Sequence, residues 1–578
     1  MADTLVFDMS SMAEGTPSVF VRKDWLSILD NQNQNYQGNQ SVIDTSQLAN
    51  SNKYMNYREA YLTVPMVLTL TQTVGATAVV AFAPNTTATS ADYAVGLKNW
   101  YGSVVHSFTL DYNGTTIIQQ TPFCGLWNTF KLMTSLSYQD LITQGSSIGF
   151  YPDDAQAFQY TTADSTSGVG VCNNQNSSAT PVVTGAWNSF DVSNSGYLAR
   201  QQAWNFNPDG LTGVGVTNGA FSNLMTTANL NLVWKSYIYN KVNATGANPT
   251  TVSGVWQAAI TAIIKLKHLH SFFERVPLLK GVFMKMTLNL NQSSVSFTSA
   301  AAGGILSATT VSSPLGGVSP LMVSSAVASN GGAACFVQGQ YIVSLAVGAS
   351  VLNSAQQASA TMPTQGSPLG RSIMLNVPAY TFNPVFETSY LSSPVKKIVY
   401  SDIYQYAIVN QISTGQTFNY LVTNGIANIK SVLVLPYFSS ASNGNLTPIQ
   451  SPYDPAGCGP TSPLCLLTQF NVQISGQNAI YNTERYSYEQ FMNQLYGQHA
   501  VNGGMTDGLT SGLVGMSDFE MEYCYYYVNV GRMLPVEEAV PKSVSVLGTN
   551  TSTKSIDLYI FVEYGVEVSV DILTGARV

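Results

Sequence analysis

Apolar and polar residues alternate with a period of two through much of the chain, the pattern of strands that bury one face. In VFMKMTLNLN, residues 282–291, Val282, Met284, Met286, Leu288 and Leu290 fall on one face and Lys285, Thr287 and Asn289 on the other. SIDLYIFVEYGVEVSVDI, near the C-terminus, is rich in β-branched and aromatic residues and also reads as strand. YCYYYVNV, residues 523–530, is too aromatic for a solvent face and needs a covering surface. Helical patterns are few and short: WNTFKLMTSLS (127–137), YSYEQFMNQLYG (486–497) and LKHLHSFFER (266–275), the last stopped by Pro277 and Gly281. VPMVLTLTQTVGATAVVAFA is interrupted by Thr, Gln and Gly, so it reads as strands rather than a membrane span.

Two stretches break the pattern. Residues from about 152 to 255 are crowded with Asn, Ser, Thr and Gly, and those from about 292 to 372 with Ala, Ser and Gly. Both read as long insertions. Residues 1–55, which include NQNQNYQGNQ, read as an N-terminal arm with one short helix around DWLSILD. The expected organisation is this arm, a first β-domain over 56–390 that carries both insertions, and a second over 391–578.

One motif occurs twice. FTLDYNGTTIIQQTPFCGLWNTF (108–130) and FNVQISGQNAIYNTERYSYEQF (470–491) each run from an alternating strand into a tight turn, a return strand and an aromatic helix. Phe108, Asn113, Gly114 and Ile118 correspond to Phe470, Ser475, Gly476 and Ile480, 362 positions later. Trp127 and Phe130 correspond to Tyr488 and Phe491 with a one-residue slip. In each turn the glycine supplies the positive φ that a hairpin needs. A Pro-marked apolar strand precedes each motif, TVPMVLTLT in one case and SVLVLPYF in the other. These matches point to one β-domain used twice. Strand edges in such domains must be closed, covered or docked, and tandem jelly-roll sandwiches are a standard solution. The fold class expected is therefore all-β, two tandem jelly rolls with long insertions and a few short helices.

Composition narrows the function. Charged residues make up only 9 % of the 578, while hydrophobic content is an ordinary 45 %. A surface rich in neutral amides and hydroxyls suits packing against other protein, because burying them costs less than burying charge. Net charge is −8 and no Lys/Arg run stands out, so sequence-specific nucleic-acid binding is not expected. MADTLVFDMSSMAEG has no basic segment leading into an apolar run, so no secretory signal is expected. The six cysteines, Cys124, Cys172, Cys335, Cys458, Cys465 and Cys524, form no CxxC pair and read as thiols.

LKNWYGSVVHSFTLDYNGTTIIQQTPF and the second copy of the motif resemble the double jelly-roll major capsid proteins of DNA viruses, most of all those of polinton-like viruses and virophages. SFFERVPLLKGVFMKMTLNLNQ and YLSSPVKKIVYSDIYQY extend the resemblance, whose blocks lie at 95–151, 265–292, 376–437 and 468–497. It implies a virion shell subunit, assembled in the infected cell, with two rolls standing side by side. Three copies would form a pseudo-hexameric trimer. Trimers would tile an icosahedral shell beside penton and minor capsid proteins. No cofactor, metal or catalysis is implied.

Other chemistry was weighed. His268 and His270 would share a face in a strand, but no Cys or acid at ligand spacing completes a zinc set. Lys265, Lys267, Arg275 and Lys280 make a local basic patch. Asp153-Asp154 and Glu537-Glu538 are adjacent acids, whereas catalytic carboxylates must face each other across a cleft. A β-sandwich adhesin or carbohydrate-binding protein would need export. A glycoside hydrolase would need a Trp-lined groove, and Trp100, Trp127, Trp187, Trp204, Trp234 and Trp256 are too scattered to show one.

Overall fold

The computed structural model of the protein describes residues 18–73, 95–119, 121–153, 159–161, 171–173, 200, 236–242, 252–299, 306–313, 315, 318–323, 339–348, 372–439, 449–450, 461–462, 465–481, 485–502, 512–530, 539–572 and 576–577. Sixteen strands build its framework. The first eight are β1 (Phe20–Leu29), β2 (Gln40–Asp44), β3 (Tyr61–Thr73), β4 (Val105–Tyr112), β5 (Thr115–Ile118), β6 (Val252–Lys265), β7 (Met284–Leu290) and β8 (Met374–Phe382). They pair in the orders β1-β8-β3-β6 and β2-β7-β4-β5. The second eight are β9 (Val395–Ile412), β10 (Thr417–Ile426), β11 (Ile429–Phe438), β12 (Leu467–Ile474), β13 (Gln477–Asn478), β14 (Tyr526–Asn529), β15 (Lys542–Asn550) and β16 (Ile556–Asp571). Their orders are β9-β16-β11-β14 and β10-β15-β12-β13. Each strand of the second set occupies the place of the strand eight earlier in the first. The chain is two tandem jelly-roll sandwiches.

Alternation builds the strands. β7 buries Met284, Met286, Leu288 and Leu290 and leaves Lys285 exposed. The start of β16, Ile556–Glu563, is buried on both faces, Asp557 and Glu563 included, as expected of a strand covered on two sides. The two Pro-marked strands hold equivalent positions, Pro65 in β3 and Pro436 in β11.

The stretch expected to be an arm with a helix at DWLSILD departs from that reading. From Phe20 onward it is strand: β1 pairs antiparallel with β8, from Phe20 against Phe382 to Leu29 against Met374, and β2 pairs with β7. Ladder bonds to a strand far along the chain override the local helical pattern. Residues 1–17 lie outside the described residues.

The described parts of both insertions are largely strand. Gly339–Val347 pairs with the far half of β3, Ser294–Ser299 pairs with it in turn, and Leu306–Ser312 follows. Ser236–Val242 pairs with β6. These strands extend the larger sheet of the first roll.

Candidate functional site

The rolls meet along a seam. Helix α1 (Cys124–Ser135) of the first roll lies on the second roll's β9-β16-β11-β14 sheet. Phe123 packs on Tyr559 at 5.2 Å between ring centroids, and Trp127 on Phe561 at 6.2 Å. Phe130 meets Tyr525 at 5.2 Å and Tyr527 at 5.3 Å. This is the covering surface that YCYYYVNV needs.

Polar contacts pin the seam at several points. The Tyr523 hydroxyl accepts from Asp153 N and donates to Asp153 O, both at 3.0 Å. Asp153 is buried and pairs with buried Arg200 at 2.6 Å. Burial, then the Asp153 charge, raise the Tyr523 phenol well above its ordinary pKa. Phe272 N donates to His270 Nδ1 at 3.2 Å. The His270 proton therefore sits on Nε2, which donates to Asp402 Oδ1 at 3.3 Å. Tyr400 donates its hydroxyl proton to Ile117 O. Leu513 N donates to Met133 O at 2.8 Å, and the neighbouring Gly512, at φ +69°, lies so close that a Cβ would stand 2.4 Å from that same oxygen.

A cleft of about 160 Å³ opens in the seam, lined among others by Lys131, Lys267, His268, Glu274 and Glu563. The expected helix over 266–275 is two short turns, Leu266–Leu269 and Phe272–Arg275, broken at His270. The break turns the two histidines to different partners. His268 sits edge-on to Trp100 at 6.2 Å and His270 bonds Asp402. Burial, aided by Lys267 and Lys265, lowers the His268 pKa to about 4. Among the described residues, no group of three or more His, Cys, Asp or Glu is placed to hold a metal. In the basic patch, Lys265 donates to Gln144 at 3.2 Å and Lys280 faces Glu387 at 3.7 Å. Cys172 lies in the short strand Val171–Asn173, while Asp154, Glu537-Glu538, Cys335, Cys458, Trp187, Trp204 and Trp234 lie outside the described residues.

The repeat residues fall at matching places in the two rolls. Asn113 and Gly114 join β4 to β5 with φ +46° and +81°, and Ser475 and Gly476 join β12 to β13 with φ +50° and +80°. Two successive left-handed residues make the hairpin turn whose twist matches the strands. Asn113 N donates to Phe283 O and Ser475 N to Ser543 O, each at 2.8 Å, so each turn is pinned beside the corresponding strand, β7 or β15. Phe108 and Phe470 are buried. Ile118 pairs with Leu110 in the ladder. Ile480 lies beyond β13, and the Asn471 amide clamps its backbone instead, donating to Ile480 O at 2.8 Å and accepting from Ile480 N at 3.1 Å. Helix α2 (Tyr488–Asn502) carries Tyr488 and Phe491. Phe491 lies 6.3 Å from Tyr525, the ring that Phe130 also touches. Trp127, Phe130, Tyr488 and Phe491 are thus gathered around one aromatic cluster, while the two hairpins remain in their own sheets.

The second surface is a pair of open edges that sequence reasoning missed. Among the described residues, β1 and β9 are each paired on one side only. They hold the same position in their rolls. Both expose apolar side chains: Val21, Trp25 and Leu29 on β1, and Val395, Val399 and Val409 on β9.

No protein-family model matches the chain, and no curated protein does. Solved structures do. A chain of the Sputnik virophage, solved by cryo-EM, is similar with a TM-score of 0.50 and 11 % identity over 98 % of this chain and 90 % of that one. The mavirus major capsid protein is similar at TM-score 0.39 and 10 % identity, over 98 % and 91 %. The Faustovirus major capsid protein is similar at 0.42 and 10 %, over 97 % and 94 %. The likeness to the Sputnik chain agrees with the double jelly-roll fold that the sheet orders show.

Proposed function

We propose that this chain is a viral major capsid protein, a structural subunit without catalysis that forms a homotrimer of pseudo-hexameric outline and tiles an icosahedral shell. The observation that carries the proposal is the matched pair of open edges, β1 and β9, one per roll, both apolar and exposed. An uncovered edge of this kind invites a partner. Three chains around a threefold axis bring six similar rolls into a ring, which fills a six-sided lattice position. Similarity across nearly the whole chain to a virophage protein supports the same reading. On this reading the chain divides near residue 390, the insertions decorate the outer ends of the rolls, and the partners are further trimers, penton proteins and minor capsid proteins in the virion. Among the described residues, no helix is long and apolar enough to cross a membrane.

The test is solution mass by light scattering across a dilution series. A species of three chains that survives dilution is expected, and electron microscopy of concentrated samples should show hexagonal arrays. A monomer at every concentration would count decisively against the trimer.

A further inference from the structure

Outside the cleft already described, a small, partly open cavity of about 20 Å³ lies where β4, α1 and the residues just after β7 meet. Four buried polar residues line it, Asn99, Ser103, His106 and Asn291, of which Asn99 already donates to Thr129. Among the described residues, no protein atom hydrogen-bonds Ser103 Oγ, His106 Nδ1 or Asn291 Oδ1. Three such atoms around one cavity are out of keeping with native interiors, where buried polar atoms find partners. Val105, Phe123, Leu126, Val318 and Ile449 form the apolar remainder of the wall.

We propose that this cavity is a binding site for one ordered water molecule, held by Ser103, His106 and Asn291 beside the contact between the two rolls. The volume admits a single water, which needs roughly 10–15 Å³ and two to four polar partners. The chemistry selects against ions. Asn291 Nδ2 donates to Ser103 O at 3.1 Å, which fixes the amide and leaves Oδ1 facing as a pure acceptor. An anion would be repelled by that oxygen. A cation would be desolvated with no carboxylate among the lining residues to balance its charge. Water can donate to Asn291 and then either donate to or accept from the other two, whichever tautomer His106 takes. Burial alone lowers the His106 pKa to about 4, in keeping with a neutral ring beside a neutral guest.

The roof gives the site its place in the molecule. Ile449 belongs to the second roll, between β11 and β12, and Val318 to the insertion of the first. Next to them, Ser319 N donates to Ile449 O at 2.9 Å. Part of the wall around the water is therefore supplied by the docked second roll.

The test is an experimental density map of the full chain, at a resolution that shows ordered water. One isolated peak is expected, within about 2.6–3.2 Å of at least two of the three named atoms. An empty cavity overturns the proposal, and so does a peak with the short contacts or anomalous signal of a metal ion. In the same map of the His106→Phe variant the peak should vanish or move towards Asn291. An unchanged peak would remove His106 from the site and overturn the three-partner assignment. If that variant does not fold, Ser103→Ala supplies the equivalent comparison, with loss or displacement of the peak expected and an unmoved peak overturning the role of Ser103.

Discussion

Phe130 and Phe491 come from opposite rolls and share one neighbour, the ring of Tyr525, at 5.2 and 6.3 Å. In sequence they are counterparts, each ending a copy of the same motif. In the fold their helices converge on one cluster at the seam. Phe130 is almost fully buried, so Phe130→Ala should leave a void and cost about 3–5 kcal/mol. The loss falls on docking, because Phe130 meets the second roll's Tyr525 edge-on and stacks on its Tyr527. Calorimetry should show the first transition at a lower temperature and separated from the second. A single transition at the wild-type temperature would mean that the aromatic seam does not hold the rolls together.

Gly512 provides a second test at the same seam. Its left-handed backbone alone would cost an alanine about 1–2 kcal/mol. The added Cβ would also stand 2.4 Å from Met133 O and 2.7 Å from Thr134 C, and backbone cannot step aside as a flexible side chain can. Gly512→Ala should therefore destabilise the chain by more than the backbone cost, with loss of the Leu513 to Met133 hydrogen bond seen as faster amide exchange at Leu513. Wild-type exchange there would show that the approach is looser than the geometry requires.

The parts of the fold that were legible are those governed by local rules. Asn113-Gly114 and Ser475-Gly476 announce their hairpins because few residues accept the left-handed conformation. β7 is legible because one face is core and the other is not. β1 was misread because Trp25, Ile28 and Leu29 also suit a helical spacing, and the strand that decides the matter, β8, lies at the other end of the roll. The seam was illegible for the same reason. Tyr400 and Ile117 are 283 residues apart, and Asp153 and Tyr523 are 370 apart, with no periodicity linking them. The different partners of His268 and His270 were illegible because one helix over 266–275 is expected, while the chain breaks into two helical turns between them.

Stability should fall as pH drops from about 6.5 to about 4. His106 and His268 are both lowered to about 4 in the folded chain, chiefly by burial. The unfolded chain, with ordinary histidines, binds protons first, so acid favours unfolding across that window and its effect levels off below it. At about 1.4 kcal/mol per pH unit, His106 contributes up to roughly 3 kcal/mol, and half-buried His268 less. Buried Asp30 and Asp557, raised by desolvation, act in the opposite sense. They are common to wild type and variant, so the difference isolates the histidine. Denaturant titrations of His106→Phe at pH 7, 5.5 and 4 should give a flatter pH dependence than wild type. An identical slope would show that His106 titrates normally in the folded chain.

The open edges predict which substitutions separate assembly from folding. Val21 is 67 % exposed on β1 and Val399 is 51 % exposed on β9. In the isolated subunit, Val21→Glu and Val399→Glu place a charge in water and should change stability by no more than about 0.5 kcal/mol. At a subunit interface the same carboxylate would be buried without a partner, at a cost of several kcal/mol. Each 1.4 kcal/mol is about tenfold in dissociation constant, so either variant should weaken trimers at least a hundredfold while its melting temperature as a monomer stays put. The double variant should be monomeric by light scattering at concentrations where the parent chain is a trimer. A double variant that still trimerises undiminished would place the subunit contact on other faces of the rolls. A variant that fails to fold would show that Val21 or Val399 supports its own sheet, contrary to its exposure.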